Sequence, residues 1–200
     1  MIARVIPALV YIHGFNSSPQ SAKARLVGAD LARVHPAARY LVPTLPAEPG
    51  AGAIAVLERE LDALVAAGLE PVLLGSSLGG FYATYLAERR GLRAILVNPV
   101  VRPHELMAGI LGEQQDLYTG ERYRLAARHV AELQALYVPR LSRPQDFLVL
   151  LQTGDETLDW REAWAKYADC SVLKQVGGNH GFECFEDVLP LIYRFAHLIR

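Results

Sequence analysis

The chain has 200 residues, 52% hydrophobic and 20% charged, a balance that builds a packed core and excludes a disordered or collagen-like polypeptide. Lys and Arg total 20 against 21 for Asp and Glu, a net charge of −1, so no basic field is available for nucleic acid or an anionic membrane surface. No apolar stretch approaches the roughly 18 residues of a membrane span, and the two cysteines, Cys170 and Cys184, cannot form a disulfide framework and read as buried thiols. Only Arg4 precedes the short apolar run Leu9-Val10-Tyr11-Ile12, too brief for a secretory leader. The expectation is one cytoplasmic domain over residues 1–200.

In chain order, short apolar runs at 8–12, 40–42, 71–74, 94–97, 147–151 and 171–176 alternate with helical patterns, the rhythm of βαβ units around a parallel sheet. Most of the runs are continuous rather than alternating, as in strands covered on both faces. Ile54, Leu57, Leu61, Leu64 and Val65 form a helical stripe; prolines at 43, 46 and 49 precede it and Gly68 closes it. The fold class expected is α/β, a mostly parallel central sheet flanked by helices.

Residues 101–144 break the rhythm. They carry no convincing strand, are interrupted by Gly109, Gly112 and Gly120, and hold one amphipathic stripe of Tyr123, Ala126, Ala127, Val130, Leu133 and Tyr137. The segment reads as a helical cap insertion over the carboxyl edge of the sheet, where open α/β sheets bind ligands; an elongated crossover of scaffold is the alternative. Leu106, Met107, Ile110 and Leu111 either line an acyl pocket there or pack the cap.

The strongest chemical signal is Gly75-Ser76-Ser77-Leu78-Gly79-Gly80, a G-x-S-x-G turn between the 71–74 strand and a helical run at 82–89. A serine at the tip of such a turn is strained, so its neighbours two positions away must be nearly free of side chain. Gly75 and Gly79 meet that need, and Gly80 lets the helix pack close. Ser77 is therefore the candidate nucleophile. Of six histidines, His180 lies in Gly177-Gly178-Asn179-His180-Gly181, a loop at the sheet edge where a base could meet Ser77. His129 and His197 sit in helical patterns, and His35 precedes Pro36 at a helix end.

The acid that orients the base is expected between them in the chain. Asp155 falls just past the 147–151 strand and is preferred. Asp159 is the runner-up, because Asp159-Trp160-Arg161-Glu162 reads as a capping box; Glu156 is adjacent. Oxyanion donors are expected from the amides of Leu78 and of Phe15, in the turn His13-Gly14-Phe15 after the first strand, with His13 bracing that loop. No His/Cys/acid spacing suggests a metal site.

The stretches YIHGFNSSPQSAKA, GSSLGGFYATYLAER, LVNPVVRP, LLQTGDETLDW and GGNHGFECFED run from end to end of the chain. Together they resemble the α/β-hydrolase superfamily and, more narrowly, the small bacterial YqiA-like esterases. The resemblance implies a minimal α/β-hydrolase fold without the two leading antiparallel strands of larger members. It also implies a Ser77–Asp155–His180 triad hydrolysing a small-molecule carboxylic ester or acyl thioester, such as an acyl-CoA, without a cofactor. An acyltransferase with the same triad, and an inactive ligand- or partner-binding homologue, are the other readings.

Overall fold

The computed structural model describes residues 6–116 and 118–198; the leader expectation, which rests on Arg4, lies outside them. The elements run β1 (Ile6–Ile12), α1 (Ala22–Val34), β2 (Arg39–Leu41), α2 (Ala51–Ala66), β3 (Leu69–Ser76), α3 (Leu78–Arg90), β4 (Arg93–Val97) and α4 (Pro103–Ala108). They continue with β5 (Gly112–Gln115), β6 (Arg122–Leu125), α5 (Ala127–Ala135), β7 (Phe147–Gln152), α6 (Trp160–Lys166), β8 (Ser171–Gln175) and α7 (Leu189–Phe195). Six strands form one sheet in the order β2-β1-β3-β4-β7-β8, and every pair in it is parallel.

The continuous apolar runs have a direct cause. Alternate residues of each central strand feed two separate cores, one on either face. Val10 and Ile12 of β1, Leu73 of β3, Leu96 of β4 and Val149 of β7 pack with α2 and α3. Leu9, Tyr11, Leu74, Val97 and Leu150 face the other way, onto α1 and α7. A strand buried on both sides has no position left for a polar residue. Each fully buried Leu or Val contributes about 1.5–3 kcal/mol, so the central strands hold the three layers together.

The helical stripe at 54–65 becomes α2, with Ile54, Leu57, Leu61 and Leu64 buried. Val65, the fifth residue of the stripe, is exposed, because it follows Leu64 by 100° and turns past the core-facing arc. The last strand stops at Gln175 and leaves Val176 out in solvent.

Residues 101–144 insert between β4 and β7 and carry the helices α4 and α5. The absence of strand expected there is corrected: β5 and β6 pair antiparallel, Gly112 opposite Leu125. Tyr123 belongs to β6, not to the helical stripe, and is buried with Leu125 while Arg122 and Arg124 point outward. The alternation Arg-Tyr-Arg-Leu is a half-buried strand signal, too short to register beside the helix that follows. Both cysteines also depart from expectation, Cys170 being half-buried and Cys184 exposed. Cys184 sits in the turn before the last helix at φ 53°, outside either core. Partial burial beside Asp169 and Glu88 still pushes the Cys170 thiol up to about 11. Among the described residues no helix is long and apolar enough to cross a membrane.

Candidate active site

The chain turns from β1 to β2 on one side and to β3 on the other, so the strand order reverses at the β1/β3 boundary. That reversal opens a crevice at the carboxyl ends of the two strands. Ser77 stands at the end of β3, and the loop from His13 to Ser18 leaves the end of β1 beside it.

Ser77 has φ 56° and ψ −120°, a conformation costing about 1–3 kcal/mol for a residue with a side chain. Its surroundings hold it there. The Ser77 N–H donates to the Val97 carbonyl at 3.0 Å, and its own carbonyl accepts from Gly80 at 2.9 Å and Val100 at 3.2 Å. A Cβ on Gly75 would run into the Gly79 carbonyl, and one on Gly79 into the Ile12 carbonyl. On Gly80 it would come 2.7 Å from the Pro99 ring. The steric reason for Gly75 and Gly79 is therefore backbone against backbone. Leu78 is the first residue of α3, so its N–H has no carbonyl a turn earlier to bind. Gly14 touches the serine side chain itself: a Cβ there would lie 3.2 Å from Ser77 Cβ. Phe15 lines the same cavity as Ser77 and His180, and Leu78 follows Ser77 at the start of α3.

His180 enters from the loop after β8. The Ser77 hydroxyl donates to His180 Nε2 at 3.1 Å. His180 Nδ1 lies 2.8 Å from Asp155 Oδ2 and 3.0 Å from Oδ1; a carboxylate only accepts, so Nδ1 carries the proton. The Asp155 side chain is 2% exposed, and its Oδ1 also accepts from the amides of Thr157 and Leu158 at 2.9 and 2.8 Å. These bonds fix the carboxylate without help from the histidine. Asp159 lies apart, capping α6 by accepting from the Arg161 N–H at 3.0 Å. The capping box is only half formed, because Glu162 turns to Arg102 at 2.7 Å. Glu156 accepts from the His180 main-chain N–H at 2.9 Å, and that bond holds its carboxyl below the usual range.

Sequence reasoning gave no role to the residues that hold the histidine loop. Asn98, 2% exposed and at φ 39°, donates to the carbonyls of Asn179 at 3.0 Å and His180 at 3.2 Å. Its Oδ1 accepts from the Gln152 N–H. The Gln152 side chain, equally buried, donates to Gln175 Oε1 and the Glu183 carbonyl and accepts from the amides of Asn179 and Glu183. Every hydrogen-bonding position of that amide is filled. The available signal was a polar residue ending each of two otherwise apolar strand runs.

The inserted hairpin reaches the other side of the site. Tyr123 donates to Asn16 Oδ1 at 2.7 Å and stacks edge-on against Phe15, ring centroids 6.3 Å apart. His13 is 4% exposed and donates from Nδ1 to the Gly14 carbonyl at 3.1 Å; burial pulls its pKa down. His129 is buried, accepting from the Ala126 N–H at 3.0 Å, and His35 caps the end of α1. His197 is exposed in the turn after α7.

A cavity of about 330 Å³ opens over Ser77 and His180. Tyr118 of the insertion lines it, but Leu106, Met107, Ile110 and Leu111 do not. Met107 packs into the core, and Leu106 borders a separate recess with Val100 and Leu158.

A parallel sheet of this order between two helical layers, with a serine on the turn after β3 and a histidine on the loop after β8, defines the minimal α/β-hydrolase fold. Solved structures of that fold superpose over nearly the whole chain. Est1E from Butyrivibrio proteoclasticus, with ferulic acid bound, matches at a TM-score of 0.75 and 17% identity, covering 96% of this chain and 88% of that one. The esterase domain of a Rhodothermus marinus protein matches at a TM-score of 0.65 and 15% identity over 98% and 88%. By sequence, residues 8–197 match the Uncharacterised protein family (UPF0227), and the chain belongs to that family. A UPF0227 protein from Shewanella woodyi is 29% identical over 90 residues, a stretch spanning 45% of this chain and only 44% of that relative.

Proposed function

We propose that this protein is a serine hydrolase cleaving carboxylic esters or acyl thioesters through an acyl-enzyme. The observation that carries the reading is the continuous path from Ser77 Oγ through His180 to Asp155, at 3.1 and 2.8 Å, ending on a serine held at positive φ. His180 Nε2 takes the hydroxyl proton as Ser77 attacks the carbonyl, and Asp155 holds the imidazole in the required tautomer and stabilises its cation. The amides of Leu78 and Phe15 receive the oxyanion. His180 then protonates the leaving alcohol or thiol, and a water attacking the acyl-serine returns the hydroxyl and releases the acid. No step calls for a cofactor or metal. Residues 101–144 cover one side of the site through Tyr118 and Tyr123, and the substrates are small acyl compounds, as the resemblance to the YqiA-like esterases implies.

The test is a fluorophosphonate label read alongside hydrolysis of a p-nitrophenyl ester. The wild type should label once and turn over. Ser77→Ala should lose labelling and at least about 10³-fold in kcat while keeping its circular dichroism and melting temperature. Near wild-type turnover by Ser77→Ala would overturn the mechanism.

A further inference from the structure

The wall of the cavity opposite the insertion is built from features that the acyl chemistry does not use. Ser17, Ser21 and Lys23 line it beside Ser77 and His180. Ser21 is the residue before α1, a helix of 13 residues with no side-chain cap and no acid in its first turn. The first-turn amides of α1 have no preceding helical carbonyl, and the positive end of the helix dipole faces the cavity. Ser21 is 8% exposed, and its hydroxyl lies against the Tyr11 phenol, away from solvent.

Lys23 is partly buried, and that burial depresses its pKa although Asp155 pulls the other way. Nζ donates to the Gly181 carbonyl at 2.8 Å, its one hydrogen bond among the described residues. An ammonium has three donors, so two remain for a ligand beyond the Gly181 carbonyl. An uncapped helix start and an ammonium with spare donors thus converge on one space next to the nucleophile. Both favour the same chemical class.

We propose that this cavity is an anion subsite: Lys23 and the first turn of α1 hold a carboxylate or phosphate group of the substrate while Ser77 meets its ester or thioester carbonyl. The inference deepens the esterase reading and rests on it for the identity of the scissile bond. The anion pairs with the Lys23 ammonium and caps α1, so a charged substrate gains contacts that a neutral one of the same length cannot. At about 330 Å³ the space is at the small end of ligand pockets, which suits a short anionic acyl or leaving group.

Two measurements test this. In the first, Ser77→Ala protein is titrated calorimetrically with succinate and, separately, with inorganic phosphate, so that binding is read without turnover. Saturable binding of at least one is expected, weakened ten-fold or more by adding Lys23→Met and restored by Lys23→Arg; the anion that binds identifies the group. In the second, kcat/KM is compared for monomethyl succinate and methyl butanoate in a pH-stat. If succinate is the anion bound, Lys23→Met should lower the charged-to-neutral ratio about ten-fold. No binding of either anion, or binding unaffected in Lys23→Met, overturns the subsite whatever the ester activity. An equal loss on both esters assigns Lys23 to holding Gly181 and also overturns it. Anion binding with no hydrolysis of either ester supports the subsite and overturns the esterase reading instead.

Discussion

The side-chain amide of Asn98 donates to the main-chain carbonyl of His180 at 3.2 Å, tying the end of β4 to a residue 82 positions further along the chain. The same amide reaches Asn179, and its oxygen receives the Gln152 N–H. The loop that carries His180 is thus hung from β4 and β7, the strands that follow β3 in the sheet, and the 3.1 Å contact between histidine and serine depends on buried amides that hydrogen-bond to neither the imidazole nor the hydroxyl.

Asn98→Ala should therefore damage both rate and stability. It leaves the Gln152 N–H and the His180 carbonyl without this partner, each costing about 1–3 kcal/mol when buried, while the Asn179 carbonyl keeps the Phe182 N–H. A melting temperature lower by several degrees and kcat down at least ten-fold, with KM little changed, are expected. Asn98→Asp keeps the acceptor for Gln152 but turns an anion toward the two carbonyls, so it should recover little of the rate. Rates in both variants equal to wild type would dissociate the loop from the site.

The two aspartates should separate in kinetics. Asp155→Asn disrupts the acceptor for His180 Nδ1, and kcat should fall by about 10⁴, the scale for losing the tautomer-setting acid. Asp159→Asn leaves a capping oxygen on α6 and should stay within two-fold of wild type. A large rate loss at Asp159 instead would reverse the assignment.

Tyr123→Phe removes only the hydroxyl that Asn16 accepts from, keeping the ring against Phe15. The loss should be about 1 kcal/mol of stability and a several-fold fall in kcat, because the Phe15 loop loses its tie to the insertion. Unchanged kcat would mean that the insertion does not support that loop.

His13 sets a pH dependence of stability. Burial holds its imidazole below the ordinary value, so as pH falls below about 6.5 the unfolded chain takes up a proton that the folded protein does not. Protonation then favours unfolding, and stability should decline from pH 6.5 downward toward the folded value. The carboxyls held low in the fold, Asp30 and Asp116, add their own loss only below about pH 4. Melting temperature measured between pH 7 and 5 should fall less in His13→Asn than in wild type; parallel curves would exclude His13 as the source.

The sequence by itself determined the parallel sheet, the serine turn and the order of the chemical groups. Those features are local: unbroken apolar runs mark doubly covered strands, and Gly75 and Gly79 mark a turn too tight for a Cβ on either side of Ser77. Local pattern also separated Asp155 from Asp159, since a residue at a strand end and a residue starting a helix read differently. Only the tertiary structure decided what lies between distant segments. A four-residue strand such as β6 has too short a period to stand out, and its pairing with β5 depends on the core that Tyr123 and Leu125 enter. The roles of Asn98 and Gln152 were equally hidden, because a buried amide takes its meaning from its partners, and these lie 23 to 82 residues away. The convergence of Ser21, Lys23 and Ser77 on one cavity is of the same kind: the strand order places β1 against β3, and no spacing along the chain encodes that neighbourhood.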